Sequence, residues 1–94
     1  MDPIPAAELL ADHHSFPGTY HFKAIGKADD DFEGRVVAAA ASELAGPGEI
    51  EHAVRETKGG RHVAVSLEVT VQSPEQVRAI YAAIREVEGL TLLL

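Results

Sequence analysis

Cysteine is absent from this chain of 94 residues. That excludes a disulfide framework, a thiolate zinc site and a thiol nucleophile. Cations are scarce: eight Lys and Arg stand against fifteen Asp and Glu, for a formal net charge of −7. A nucleic-acid binder needs a positive footprint on phosphate, and an anionic membrane surface attracts the same sign. The few basic residues are scattered, so neither partner is expected. No apolar run approaches the length of a membrane span. The opening Met1-Asp2-Pro3-Ile4-Pro5 has no basic region and no long apolar stretch, so no signal peptide is expected. A cytoplasmic protein fits these absences.

What is present is the makeup of one soluble domain, 46% hydrophobic and 24% charged. A chain of this size buries a modest core without staples. The strongest pattern runs from Gly60 to Val71. Val63, Val65, Leu67, Val69 and Val71 alternate with Ala64, Ser66, Glu68 and Thr70. Period-two alternation rich in β-branched residues predicts a long strand with one buried face. Such a strand needs sheet neighbours and a covering layer.

The other segments supply both. Residues 1–15 read as a loosely attached N-terminal arm, with a short helical turn over Pro5 to His13. Phe16-Pro17-Gly18 marks a turn. Thr19 to Ile25 is a first strand with Tyr20, Phe22 and Ala24 facing the core, ended by Gly26. Asp29, Asp30 and Asp31 offer N-caps for a helix from about Asp31 to Leu44, where acids suit the positive end of the helix dipole. Gly34 is a weak point in its first turn. Ala45-Gly46-Pro47-Gly48 stops it. Glu49 to Glu56 is a charged, short edge strand with Ile50, His52 and Val54 on one face and Glu51, Ala53 and Arg55 on the other. Lys58-Gly59-Gly60 is a hairpin turn. Ser73-Pro74-Glu75-Gln76 opens a second helix with a capping box. Val77, Ile80, Tyr81, Ile84 and Val87 form its apolar stripe, and Gly89 closes it. Leu90-Thr91-Leu92-Leu93-Leu94 is a terminal strand.

The order β-α-β-β-α-β, with right-handed crossovers, predicts an α+β ferredoxin-like sandwich over residues 16–94. Its four-stranded antiparallel sheet has the order 4-1-3-2, with both helices on one face.

The run Phe16-Pro17, then Phe22-Lys23-Ala24-Ile25-Gly26, resembles the opening motif of the YbeD-like family, a domain of unknown function. The Gly60 turn into a Val-rich strand is similar to that family's second block. Gln76-Val77 with Ile80-Tyr81, and the terminal Leu92-Leu93-Leu94, are similar to its third. Where the family carries an aromatic residue two positions after the turn glycine, this chain has His62. The resemblance covers Phe16 to Leu94. It implies a fold similar to ACT regulatory domains, which bind amino acids and pair side by side. It implies no established activity and no catalytic residues.

Two places are candidate sites. The sheet face without helices carries His21, Lys23 and Ile25 from the first strand, His62, Ala64, Ser66 and Glu68 from the third, and Glu51 and Arg55 from the second. Of these, His21, Lys23, His62, Ser66 and Glu68 are the candidates for binding a partner; the bland alternative is a solvated face with cross-strand ion pairs. The second place is the loop Gly26, Lys27, Ala28, Asp29. In ACT domains the corresponding loop lies near the amino-acid ligand, and backbone amides here could hold a carboxylate. Three crowded aspartates oppose an anion there and read as redundant caps.

His13-His14 lacks the spacing of a metal site. Ser15, Ser42, Ser66 and Ser73 have no base beside them in any nucleophile signature, and Lys58-Gly59-Gly60 is too short for a phosphate loop. Tyr81 belongs to the core stripe. The expectation is a non-enzymatic regulatory or interaction module without a cofactor, acting on a protein partner. The alternative is an ACT-like amino-acid sensor. A homodimer fits either, with the apolar Leu90–Leu94 end as one place where another subunit could pair.

Overall fold

The computed structural model describes residues 4–44 and 50–94. The chain runs through α1 (Ala7–His13), β1 (Gly18–Lys27), α2 (Phe32–Ala41), β2 (Ile50–Glu56), β3 (His62–Val71), α3 (Pro74–Arg85) and β4 (Leu90–Leu93). The strands form one four-stranded sheet in the order β2-β3-β1-β4, with every pairing antiparallel. This is the expected ferredoxin-like order read from the other edge.

β3 behaves as its alternation demands. Val65, Leu67, Val69 and Val71 are buried, whereas Ser66, Glu68 and Thr70 are exposed. β1 lies beside it in a ten-residue register from Gly18 opposite Val71 to Lys27 opposite His62. Opposite residues in an antiparallel pair share a face, so Phe22 and Ala24 join Leu67 and Val65 in the core. Phe32, Val36 and Ala40 of α2 and Val77, Ile80, Tyr81 and Ile84 of α3 close over that face, together with Leu93 of β4.

The caps explain where the helices begin. Ser73 accepts a hydrogen bond from the Gln76 amide at 3.2 Å, and Pro74 takes the first helical position. The returning bond differs from the usual capping box. The Gln76 side-chain oxygen accepts from the Gln72 amide at 2.8 Å, and its nitrogen donates to the Glu43 carbonyl at 3.1 Å. Gln76 thereby ties the start of α3 to the end of α2. Asp31 caps α2 from a left-handed conformation (φ 52°), its carboxylate accepting from the Gly34 amide at 3.2 Å. A Cβ on Gly34 would run into that carboxylate. Gly34, expected to be a weak point, is the residue that makes room for the cap.

Three boundaries shift. Gly26 does not end β1: it lies buried inside the strand, opposite Val63, and at the register shift against β4. α2 ends at Ala41 rather than Leu44, and the expected stop at residues 45–48 lies outside the described residues, as does Glu49. α3 ends at Arg85, short of Gly89, which turns the chain into β4 with φ 91°. β4 lies on β1, Leu93 opposite Ala24 and Leu92 opposite Ile25, and forms the second edge of the sheet among the described residues.

The loosely attached arm is also corrected for α1. Leu10 is only 2% exposed and belongs to the core, with Ile4 packed against it. The Arg78 guanidinium donates to the Pro5 carbonyl at 2.9 Å, fastening the segment to α3. Three spaced apolar residues in a short helix gave too little periodicity to reveal this docking. No helix among the described residues is long and apolar enough to cross a membrane.

Candidate functional site

The register assembles the uncovered sheet face row by row. Glu51 lies opposite Glu68, which lies opposite His21. In the next row Ala53 lies opposite Ser66, and Ser66 opposite Lys23. Lys23 exchanges both backbone hydrogen bonds with Leu94, at 2.8 and 3.1 Å. The third row is Arg55, Ala64, Ile25 and Leu92. His62 falls at the far end, opposite Lys27.

Four of the five partner-binding candidates, His21, Lys23, Ser66 and Glu68, therefore form one block, and His62 stands apart from them. The His21 imidazole is 3.6 Å from the Glu68 carboxylate, and both side chains are largely solvated. A shallow depression of about 260 Å³ is lined there by His21, Glu51, Ala53, Ser66 and Glu68, together with parts of His52 and Leu67.

Beside the polar block runs an apolar strip of Ile25, Ala64, Leu92 and Leu94. Ala64 is buried although no helix lies over it, because its cross-strand neighbours Arg55 and Ile25 are much larger. Leu94 is 49% exposed. The end Leu90–Leu94 gives no alternation to read, so only the pairing reveals that Leu92 and Leu94 face outward while Leu93 faces the core. Residues of opposite parity turn to the helices: His52 of β2 contacts Glu33 of α2 at 2.9 Å. Sequence spacing held no signal for that pair.

The stretch from Gly26 to Asp29, the end of β1 and the turn after it, is built for packing. A Cβ on Gly26 would strike the Phe32 ring and come within 2.7 Å of the Gly89 carbonyl. The Lys27 amide donates to Gly89 and the Ala28 amide to Arg61, each at 3.0 Å, while the Asp29 carbonyl accepts from the Phe32 amide at 3.2 Å. Arg35 donates to the carbonyls of Glu88 at 2.7 Å and Asp30 at 2.8 Å. Two of the amides expected to hold a carboxylate, those of Lys27 and Ala28, are thus already committed to the fold. An open hollow of about 390 Å³ lies alongside, lined by Lys27, Asp29, Asp30, Arg35, Glu88 and Gly89.

Among the described residues no group of three His, Asp or Glu side chains is placed to hold a metal ion. His14 is exposed and its ring packs at a tilt against that of Tyr20, with centroids 4.9 Å apart. Tyr81 lies in the core as expected.

The family model described as protein of unknown function (DUF493) matches residues 11–94. The chain belongs to this family. The YbeD-like resemblance read from its motifs is the same assignment. Its relatives include a UPF0250 protein of Shewanella piezotolerans (strain WP3 / JCM 13877), 35% identical over 84% of this chain and 88% of that protein. A UPF0250 protein of Shewanella frigidimarina (strain NCIMB 400) is 37% identical over the same shares. These names carry no activity to transfer, so the DUF493 assignment leaves function to the geometry.

Proposed function

We propose that this DUF493 protein is a small interaction module that binds a protein partner through the open face of its sheet. The observation that supports this is the apolar strip of Ile25, Ala64, Leu92 and Leu94 set against the polar block of Lys23, Ser66, His21 and Glu68. A merely solvated sheet face needs no leucines directed to water, whereas an interface core is apolar with a charged rim. Lys23 stands where strip and block meet, next to Leu94 and Ser66, and supplies the rim with a cation. The reading requires no catalytic group, and it treats the chain as a regulatory or adaptor part rather than an enzyme.

Affinity capture from the native host, with the parent protein and a Lys23→Glu variant side by side, tests it. A specific partner recovered by the parent and lost by the variant supports the open face. A partner retained equally by the variant, or no specific partner, overturns it.

The amino-acid sensor reading draws less support, because the amides of Lys27 and Ala28 are satisfied internally. A thermal-shift screen against amino acids separates the two. An amino acid at a hundred times its dissociation constant would add about 2.7 kcal/mol of stability.

A further inference from the structure

β2 is one edge of the sheet, and its outer side is unpaired among the described residues. Natural sheets blunt such edges with proline, a bulge, a covering element or charge. β2 has no proline, and its seven-residue register with β3 is unbroken. Among the described residues charge is its one blunting device, and Glu51 and Arg55 stand two residues either side of its middle residue, Ala53, with Glu56 beyond them. The strand reads Ile50-Glu51-His52-Ala53-Val54-Arg55-Glu56.

The hydrogen-bond phase decides which residues point outward. The Thr57 amide donates to the His62 carbonyl at 3.0 Å, one step beyond the Glu56–Val63 pair. In an antiparallel ladder the bonded pairs alternate. Glu51, Ala53 and Arg55 therefore bond inward to β3. Ile50, His52, Val54 and Glu56 direct their backbone N–H and C=O groups away from the sheet.

We propose that two copies of this chain associate through β2, antiparallel, with Ala53 on the twofold axis. In that register Glu51 of each copy faces Arg55 of the other on the open sheet face. His52 faces Val54, and Ile50 faces Glu56, so every outward backbone group of the strand gains a partner. Twofold symmetry with both helical layers on one side admits only registers displaced by two residues. Displacement by two in one direction sets Glu51 opposite Ala53, and in the other Ala53 opposite Arg55. Neither pairs the charges.

Two features of the single chain point the same way. Glu51 lies directly across from Glu68, a like-charge pairing that destabilises a sheet. Neither Glu51 nor Arg55 has an ion-pair partner among the described residues. Val54 is the one large hydrophobic of β2 that remains 44% exposed, on the helix-covered side of the edge. A second copy supplies Glu51 with a cation and covers Val54 with His52. The net charge of −7 per chain opposes association over distance. At about 0.15 M salt that repulsion is screened beyond roughly 8 Å, while contacts across the strand pair persist. The ion pairs are solvated and serve to fix the register; the backbone ladder supplies most of the cohesion.

Sedimentation velocity at roughly 100 µM, spanning dissociation constants of that order, tests association directly. The parent is expected to run as a dimer, twice the 10.0 kDa chain mass. Glu51→Arg and Arg55→Glu each set like charges opposite one another twice per dimer, and each should weaken association about tenfold or more. The double variant Glu51→Arg/Arg55→Glu restores both pairs and the dimer. Glu51→Arg also removes the clash with Glu68, so misfolding does not explain its loss of association. A covalent readout is independent of affinity. Because the chain has no cysteine, Ala53→Cys introduces a single thiol on the twofold axis, in a non-bonded pair whose Cα separation of about 4.5 Å admits a disulfide. Oxidation should give a covalent dimer far faster than for Ala82→Cys on the exposed side of α3. A monomeric parent, a double variant no better than the single ones, or equal crosslinking of the two cysteine variants overturns the proposal.

Discussion

The phenol oxygens of Tyr20 and Tyr81 lie 3.2 Å apart, and the two rings meet edge to face. Burial, with the Tyr20 hydrogen bond added to it, pushes the Tyr81 phenol well above the usual tyrosine value. The neutral phenol is therefore favoured by folding. Its contribution is fully present below about pH 10, the unfolded value, and is lost as pH rises past it. Tyr81→Phe should cost about 0.5–1.5 kcal/mol at neutral pH by removing the bond. Above about pH 10 the variant should lose less further stability than the parent. Thermal melts of both proteins across that range check the sign.

Gly34 and Asp31 form a coupled pair. Helix propensity alone favours Gly34→Ala by about 1 kcal/mol. The new Cβ displaces the Asp31 carboxylate, however, and losing a cap costs a similar amount, about 1 kcal/mol. The single change should be close to neutral, and the same change in an Asp31→Ala background should be clearly stabilising. Urea denaturation of the four proteins in the cycle measures the coupling.

Gly26 and Phe32 give a sharper outcome. Gly26→Ala drives a methyl group into a ring and a carbonyl, and overpacking of this kind costs about 1–3 kcal/mol. Shortening the ring in Gly26→Ala/Phe32→Leu should recover part of the loss. Chemical denaturation reads the difference. A loop kept for a ligand would instead tolerate the methyl group and fold with unchanged stability.

Leu10→Ala tests the docking of α1. A buried leucine truncated to alanine costs about 2–5 kcal/mol, with the lower end expected at a terminal helix. A free arm would register nothing in a thermal melt.

Much of this architecture was legible because local signals agreed with the global fold. The alternation in β3, the Ser73-Pro74-Gln76 start of α3 and the glycine turn at Gly59-Gly60 each have one physical reading. Gly26 is ambiguous in sequence because the glycine that ends a strand and the glycine that admits a neighbouring ring look alike in one dimension. The β2 parity was readable, yet the row Glu51–Glu68–His21 depends on two registers at once. Leu92 and Leu94 were opaque because a run of leucines carries no period. The open face could be named from the sequence, but its apolar strip exists only once β4 is set against β1.

β1 is central by its place in the sheet, yet β4 reaches only its C-terminal half. Lys23 and Lys27 send their amides to Leu94 and Gly89, so the odd-numbered amides of β1 point toward β4. Those of Thr19 and His21 point the same way, beyond the last paired residue. Among the described residues, this strand is interior at one end and an edge at the other. In heavy water the two halves should part company: the Lys23 amide should keep its proton long after those of Thr19 and His21 have exchanged.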